Sequence, residues 1–296
     1  MSQRVAIVAG GRTPFVKYGK DFKDVGSLAL GVHAVRGLID THDIDPDTMD
    51  AIAFGTAVGE PGKSNLAREI IFEADLPRHI EAQTISSYCI AGLRAITSIA
   101  DAITGGRIDA GVAGGAESMS HADPGMFMEP STGLSMGEHM ELSAEVWDIP
   151  RGRQDEIELA SHRNAVAVSE SLADEIFPLL NVTDDSGPRA DTSLEALAGL
   201  GTPFDANGTL TAGNSSPVTD GASAVALMSE ARAQAEGRTP LAFIRAMQYG
   251  AVDPSDGLLM APAIAVPKLL DRTGLRLDEI DLIEIHEAFA RRCWPM

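Results

Sequence analysis

Cysteine is scarce in this sequence, which has only two among 296 residues. Two cysteines far apart in the chain provide neither the cysteine set of a structural zinc site nor a disulfide framework, so we expect both to be reduced thiols. Basic residues are also few: 23 lysines and arginines face 43 acidic residues, for a net charge of -20. Such an acidic chain opposes non-specific binding to nucleic acid and to anionic membranes.

Long apolar runs are missing as well. No stretch approaches the length of a membrane span, and the first residues carry neither a charged leader region nor a cleavage site. We therefore expect a cytoplasmic protein without a transmembrane segment. The seven histidines show no metal-ligand spacing, so we expect no metal. With 44% hydrophobic residues, the chain is long enough to bury a large core, in two domains or in one domain with an insertion.

Short apolar runs alternate with helix-like segments in the first part of the chain. The pattern predicts strands at residues 5–9, 50–55, 81–85 and 110–115, and helices at residues 28–39 and 89–105. This alternation is typical of a layered α/β fold. Residues 117–236 differ: they are rich in turns and contain one long polar helix at 153–170, which favours an inserted region. Strand-like runs return at 241–246 and 280–285.

These changes predict three parts: residues 1–116, an inserted loop region at 117–238, and the start of a second half at 239–296. An internal repeat supports two halves, because residues 34–52 align without gaps to residues 265–283 and three aspartates recur in register. One alternative is that any two helix-loop-strand units resemble each other. The gapless register favours a true duplication.

Cys89 stands where a strand-like run changes into a helix-like one. A cysteine among apolar neighbours is more often a small core residue. The following helix is apolar nearly all round, so we expect it to be buried, with Cys89 at its N-terminus. Half-ionising a thiol at pH 7 requires about 2 kcal/mol, while a helix N-terminus supplies about 0.3 to 2 kcal/mol and burial opposes the charge. A nucleophilic Cys89 would therefore also need a base, normally histidine.

Several motifs occur one after another along most of the chain, and together they resemble those of the thiolase family. They are Gly11-Arg-Thr-Pro-Phe15, Ser64-Asn-Leu-Ala-Arg68, the stretch around Cys89, Gly114-Gly-Ala-Glu-Ser-Met119, Thr211-Ala-Gly-Asn-Ser-Ser216 with Asp220-Gly-Ala222, and His286-Glu-Ala-Phe289. They are most similar to the 3-ketoacyl-CoA thiolases that form the β-subunit branch of the fatty-acid oxidation complex. The resemblance implies a layered αβαβα fold of two similar halves with an inserted loop domain, the second half being incomplete here.

The resemblance also implies an acetyl-CoA C-acyltransferase of fatty-acid degradation. Cys89 would attack the 3-keto carbonyl of a 3-ketoacyl-CoA, acetyl-CoA would leave, and a second CoA would resolve the acyl-cysteine. Coenzyme A is then a substrate, and no cofactor is implied. His286 would help to hold a water in an oxyanion hole; the alternative is a polar residue that ends a strand. Ser216 would contact the pantetheine arm of CoA, although a serine in a Gly/Asn-rich loop is also ordinary turn chemistry.

Two family motifs do not occur in the sequence: Gly-His-Pro, whose histidine activates the nucleophile, and Cys-x-Gly-Gly, whose cysteine is the second acid/base. We therefore expect a truncated or frame-shifted product, and the alternative function is a catalytically impaired fragment or a CoA-binding scaffold chain. Within the enzymes, the alternative is a condensing enzyme related to ketoacyl synthases; the motifs at 211–214 and 286–289 favour a thiolase. The resemblance implies a homodimer, with an α-subunit of a fatty-acid oxidation complex as a further candidate partner.

Overall fold

The computed structural model describes residues 3–59, 62, 64–123 and 127–290. The second cysteine, Cys293, lies outside these residues. The chain divides into two compact units. The sheet unit comprises Met1–Asp123, Glu170–Gly187 and Val218–Arg245, and the helix unit comprises Pro124–Ser169, Pro188–Pro217 and Ala246–Met296. The three-part division at residues 116 and 238 stays a prediction.

The described strands are β1 (Val5–Arg12), β2 (Val16–Lys17), β3 (Ala51–Thr56), β4 (Glu81–Ser86), β5 (Ala110–Ser118), β6 (Met128–Glu129), β7 (Leu134–Ser135), β8 (Thr219–Ser229) and β9 (Ala242–Ile244). The described helices are α1 (Ser27–Thr41), α2 (Leu66–Glu73), α3 (Ala91–Thr104), α4 (Met136–Val146), α5 (Arg151–Ala167), α6 (Ser169–Leu172), α7 (Leu194–Ala198), α8 (Glu230–Ala235) and α9 (Ala261–Thr273). No helix in the described ranges is both long and apolar enough to cross a membrane.

The sheet unit is built on one mixed sheet with the strand order β4-β3-β5-β8-β1-β9, and β2 pairs with β8. β3 runs parallel to both β4 and β5, whereas β8 is antiparallel to β5 and β1. The register places Thr56 opposite Ser86 and Gly55 opposite Gly115. The carboxyl ends of β3, β4 and β5 therefore meet at one edge of the sheet, and the chain leaves β4 towards Cys89 at that edge.

The core of the sheet unit follows from the apolar pattern. Every residue of β3 is buried, as the continuous apolar run requires for a central strand. One face of α1 is buried through Leu30, Ala34, Val35 and Leu38, which recur at helical spacing. The strands predicted at 5–9, 50–55, 81–85 and 110–115 and the helix at 28–39 are confirmed by β1, β3, β4, β5 and α1.

The strand predicted at residues 280–285 is wrong. Within the described part of the chain these residues join no ladder, and Leu282 is 90% exposed. A strand is stabilised by a partner across which its backbone groups pair, and an apolar run alone does not supply one. The run at 241–246 does form a strand, but only over the three residues of β9, which pair with β1.

The repeat holds in structure for its helix and turn. α1 is followed by a single 3-10 turn at Pro46–Thr48, and α9 is followed by one at Leu277–Glu279, the positions that the gapless alignment pairs. The aligned continuation differs, because β3 follows the first turn and no described strand follows the second. The local sequence thus encodes the helix and the turn in both copies.

The helix unit contains only part of the region predicted as an insertion at 117–238, since Glu170–Gly187 and the whole of β8 belong to the sheet unit. Its long polar helix, predicted at 153–170, is α5, and β6 pairs with β7 as a short hairpin. A small apolar cluster forms around Met140, Leu210 and Phe289. The rings of Phe204 and Phe289 meet edge to face, with centroids 6.1 Å apart. Phe289 thereby anchors the segment that carries His286.

Candidate active site

Cys89 lies in a tight connection at the carboxyl edge of the sheet. β4 ends at Ser86, the 3-10 turn Tyr88–Ile90 follows, and α3 begins at Ala91. Tyr88 has a φ of 46°, in the left-handed region that costs non-glycine residues about 1–2 kcal/mol. The Cys89 side chain is exposed, which excludes the core-residue alternative. The predicted position of a thiol at the junction of strand and helix is confirmed.

The expectation that the helix after Cys89 is buried on all sides is wrong. α3 buries Ala91, Ala95, Ile99 and Ile103 along one face, but Leu93 is 58% exposed. A helix that packs one face onto β3 and β5 leaves its opposite face uncovered, whatever its composition. The first turn of α3 therefore has an apolar outer surface beside the thiol.

Close backbone packing sets the position of this first turn. A Cβ atom on Gly55 of β3 would lie 2.3 Å from the carbonyl carbon of Ala91 and 2.5 Å from the amide nitrogen of Gly92. A Cβ atom on Gly115 of β5 would lie 3.4 Å from Cα of Gly92. Glycine is thus required at position 55, where β3 meets the first turn of α3, whereas the contact between Gly115 and Gly92 is of ordinary length. This role of Gly55 was not predicted, although a glycine inside an apolar strand signals close approach.

Two acidic motif residues hold the loops around this edge. The Glu117 carboxylate accepts hydrogen bonds from the backbone N–H groups of Ala57, at 2.5 Å, and Val58, at 3.2 Å. The buried Asp220 carboxylate accepts from the N–H group of Ser120 at 2.8 Å and from its hydroxyl at 2.5 Å. Both residues belong to motifs of the resemblance, and both act here as supports of backbone loops.

The motif at residues 64–68 fastens α2 to the strand that leads to Cys89. Asn65 caps α2 because its Oδ1 accepts from the N–H group of Arg68 at 3.1 Å. The same oxygen accepts from the hydroxyl of Thr84 in β4 at 2.7 Å. An amide cap of this kind is worth about 1 kcal/mol to a helix. Here it also ties β4 to its neighbouring helix.

In the helix unit, the segment that carries His286 pairs with the loop that carries Ser216. The Ser216 N–H group donates to the Ala288 carbonyl at 2.9 Å, and the Ala290 N–H group donates to the Asn214 carbonyl at 3.0 Å. The side chains of His286 and Ser216 are exposed. The structure therefore brings the segments of these two predicted site residues together. Cys89 belongs to the sheet unit.

Asn214 is the buried centre of this loop and was not predicted as important. Its Oδ1 accepts from the Thr211 N–H group at 2.7 Å, and its Nδ2 donates to Asp155 and to the Thr209 carbonyl, both at 3.1 Å. Asp155 also accepts from Nε of Arg151, at 2.8 and 2.9 Å. The amide thus joins the loop to α5. Its position between glycine and serine in the sequence indicated only a turn.

The neighbourhood of Asp155 is strongly acidic. Burial, followed by the carboxylates of Glu287 and Asp155, raises the pKa of Glu158 to about 7. Nε2 of His162 lies 3.2 Å from Oε1 of Glu158. The Ser161 hydroxyl donates to Glu287 at 2.5 Å. Within the described residues there is no group of three or more histidine, cysteine and acidic side chains arranged to hold a metal.

Comparison with known sequences and structures identifies the family. Residues 5–139 and 124–231 match the thiolase N-terminal domain, and residues 238–295 match the thiolase C-terminal domain. The chain belongs to the thiolase family. This thiolase is therefore an acyltransferase, as predicted. The match to the N-terminal domain comes in two pieces that overlap between residues 124 and 139.

Curated relatives and solved structures agree with this family. The chain is 35% identical to the 3-ketoacyl-CoA thiolase of Pseudoalteromonas atlantica over an alignment of 335 positions, gaps included, which covers 97% of this chain and 77% of that one. A Shewanella 3-ketoacyl-CoA thiolase is also 35% identical, with the same coverage. The Bacillus anthracis acetyl-CoA acetyltransferase structure superimposes with a TM-score of 0.93 at 31% identity, over 98% of this thiolase and 82% of that chain. The acetyl-CoA acetyltransferase from Syntrophomonas wolfei gives 0.91 at 27% identity, over 99% and 81%. The predicted thiolase-like α/β fold is confirmed.

Proposed function

We propose that this thiolase cleaves 3-ketoacyl-CoA with coenzyme A, giving acetyl-CoA and a shortened acyl-CoA, with Cys89 carrying the acyl group. The observation that carries the proposal is the exposed Cys89 thiol in the tight turn before α3. The names of the two curated relatives described above, both 3-ketoacyl-CoA thiolases, support the choice of substrate.

The reaction uses one nucleophile from the protein, Cys89, and transfers the acyl group in two steps. The Cys89 thiolate attacks C3 of the substrate, and the C2–C3 bond breaks with its electron pair on C2. The resulting enolate of acetyl-CoA takes up a proton and leaves. The thiol of a second CoA then attacks the acyl-cysteine and restores the Cys89 thiol. Because one thioester replaces another, the acyl exchange meets no large thermodynamic barrier.

His286 and Ser216 are proposed to serve the same reaction. The pairing of their segments and the exposure of both side chains support this assignment. In the roles that the family resemblance implies, His286 helps to hold a water that stabilises an oxyanion, and Ser216 contacts the pantetheine arm. Loss of one oxyanion-hole donor typically lowers the rate about 100- to 1,000-fold.

Three further proposals come from the family resemblance alone. They are a homodimer, association with an α-subunit of a fatty-acid oxidation complex, and a cytoplasmic location in fatty-acid degradation. Coenzyme A acts as a substrate in this proposal, and the reaction as written needs no metal.

A thiolysis assay tests the proposed function. The purified 296-residue chain is mixed with CoA and either acetoacetyl-CoA or a longer 3-ketoacyl-CoA, and formation of acetyl-CoA is measured. Cys89→Ala is expected to abolish turnover, and Cys89→Ser is expected to do nearly the same because a serine ester resists attack by a thiol. Thr104→Ala, at the far end of α3, is the control and is expected to keep wild-type turnover. Wild-type turnover in Cys89→Ala would refute the proposal.

The second candidate function is a chain that accepts an acyl group but releases it slowly. It concerns the 296 residues assayed by themselves, among which the Gly-His-Pro and Cys-x-Gly-Gly motifs do not occur. General acid and base groups each contribute about 100- to 10,000-fold to a rate. A single burst of acetyl-CoA without steady turnover supports this candidate over the first.

Alkylation of Cys89 against pH measures activation of the thiol directly. An activated cysteine reacts as a thiolate well below its ordinary pKa of about 8.5. An inflection at or above that value contradicts an activated nucleophile in either candidate.

A further inference from the structure

One side of α5 faces both segments that carry the proposed site residues of the helix unit. Asp155, Glu158 and Ser161 follow each other at intervals of three, which places them in a row on one face of the helix. Asp155 accepts from Asn214 at 3.1 Å, and Ser161 donates to Glu287, the neighbour of His286, at 2.5 Å. The row therefore holds the two paired segments from one side.

Glu158, the middle member of the row, is a carboxyl group influenced by the carboxylates of Asp155 and Glu287. Asp155 is balanced by Arg151, which donates to both of its oxygens. The Glu158 and His162 side chains are only 15% and 17% exposed and lie 3.2 Å apart. Burial, with smaller contributions from the carboxylates of Glu287 and Asp155, raises the pKa of Glu158 to about 7. Glu158 therefore gains or loses its proton near neutral pH.

The other charged groups around Glu158 and His162 come from three neighbouring segments. The 188–191 loop brings the Arg189 N–H group to within 3.3 Å of Nδ1 of His162, and Asp191 of that loop forms an exposed ion pair with Arg189. The His286 segment contributes Glu287. At the first turn of α7, which packs on α5, Glu195 is exposed.

We propose that Glu158 and Ser161 position His286 through the Glu287 carboxylate, and that this hold requires Glu158 to be protonated. When Glu158 is protonated, Glu287 accepts the Ser161 hydrogen bond next to a neutral neighbour. When the proton leaves, the Glu158 carboxylate repels Glu287, and the segment from His286 to Ala290 loosens from the 214–216 loop. Glu158 and Ser161 act as positioning residues. The consequence for catalysis rests on the function proposed above for His286.

Hydrogen exchange tests the hold without requiring turnover. Exchange is measured on peptides that contain the amides of Ser216 and Ala290, at pH 6 and pH 8, as protection relative to the intrinsic rate at each pH. In the wild type, protection is expected to fall about tenfold between the two values, the factor that one pKa unit of coupling gives. Glu158→Gln is expected to keep high protection at both, and Ser161→Ala is expected to lower protection already at pH 6.

The matched control is Glu156→Gln on the same helix. Glu156 is exposed and pairs with Arg153, so the variant is expected to show the wild-type fall in protection. Glu287→Gln, which removes the repelled charge, gives a second variant in case Glu158→Gln folds poorly, and it is also expected to remove the pH response. An unchanged wild-type protection between pH 6 and pH 8, or a wild-type fall in Glu158→Gln or Glu287→Gln, overturns the proposal.

The pH dependence of thiolysis provides a second, kinetic test. The kcat of the wild type is expected to fall from pH 6 to pH 8 relative to that of Glu158→Gln, because the segment that loosens carries His286. A pH response in exchange without thiolysis contradicts the proposed function and leaves the hold intact. Thiolysis without the exchange response contradicts the hold alone.

Discussion

Gly55→Ala is expected to move the nucleophile turn. The added Cβ would lie 2.3 Å from the carbonyl carbon of Ala91 and 2.5 Å from both its oxygen and the Gly92 amide nitrogen, whereas ordinary contact begins at 3.4 Å. All three neighbours are backbone atoms, so relief requires the start of α3 to retreat by about 1 Å. Overpacking of this kind costs about 1–3 kcal/mol of stability. Misplacement of a reacting group by about 1 Å costs about 100-fold in rate.

Gly111→Ala is the matched control for this prediction. Its Cβ would meet the Ala51 carbonyl oxygen at 2.9 Å and Cγ2 of Ile99 at 3.1 Å, in the same layer but away from the first turn of α3. Urea unfolding should show a loss of stability in both variants. Thiolysis kcat and the rate of Cys89 alkylation should fall only in Gly55→Ala. Wild-type kcat and alkylation in Gly55→Ala would refute the argument, as would an equal kcat loss in both variants.

Three further predictions concern stability and follow from buried polar groups. Asn214→Ala is expected to lower the free energy of unfolding in urea by about 2 kcal/mol or more. The reason is that the buried Thr211 N–H group and Asp155 each lose a hydrogen bond to Asn214. An unchanged urea midpoint contradicts this prediction. Asp220→Asn is expected to cost at least about 1 kcal/mol, since charge-assisted bonds to Ser120 are weakened, and a stability within error of the wild type contradicts it. Because the pKa of Glu158 is raised from 4.5 to about 7, Glu158 is protonated in the folded state and ionised in the unfolded chain between these two pH values. The free energy of unfolding is therefore expected to decrease as pH rises through that window, by at most about 3 kcal/mol, and less so in Glu158→Gln; parallel curves for the two proteins contradict it.

The first part of the fold was predictable because its signals are local. The continuous apolar run of β3 and the helical spacing in α1 each specify an element without knowledge of its neighbours. Residues 280–285 show the limit of that reasoning, since their apolar run has the composition of a strand but no described partner. Composition alone also did not reveal that Leu93 faces outward, because which face of α3 is covered depends on the layer beneath it.

The candidate site, too, was predictable only in part. The position of Cys89 between strand and helix was visible in the sequence, as were the motifs that contain Ser216 and His286. The left-handed Tyr88 and the buried Asn214 depend on three-dimensional contacts that no spacing encodes. The surroundings of Glu158 depend equally on the fold, because the carboxylate that adds to its pKa shift, Glu287, lies far away in the chain.

Mass spectrometry of the acyl-enzyme tests the central claim most directly. The chain is mixed with acetyl-CoA in the absence of a second acyl acceptor, quenched in acid, and digested for peptide mapping. An acetyl group on the peptide containing Cys89, removed when free CoA is added before the quench and absent in Cys89→Ala, is the result that we predict. An unmodified Cys89 peptide after prolonged incubation of folded protein contradicts a nucleophilic Cys89. An acetyl group on Cys89 that free CoA does not remove contradicts turnover and supports the second candidate function.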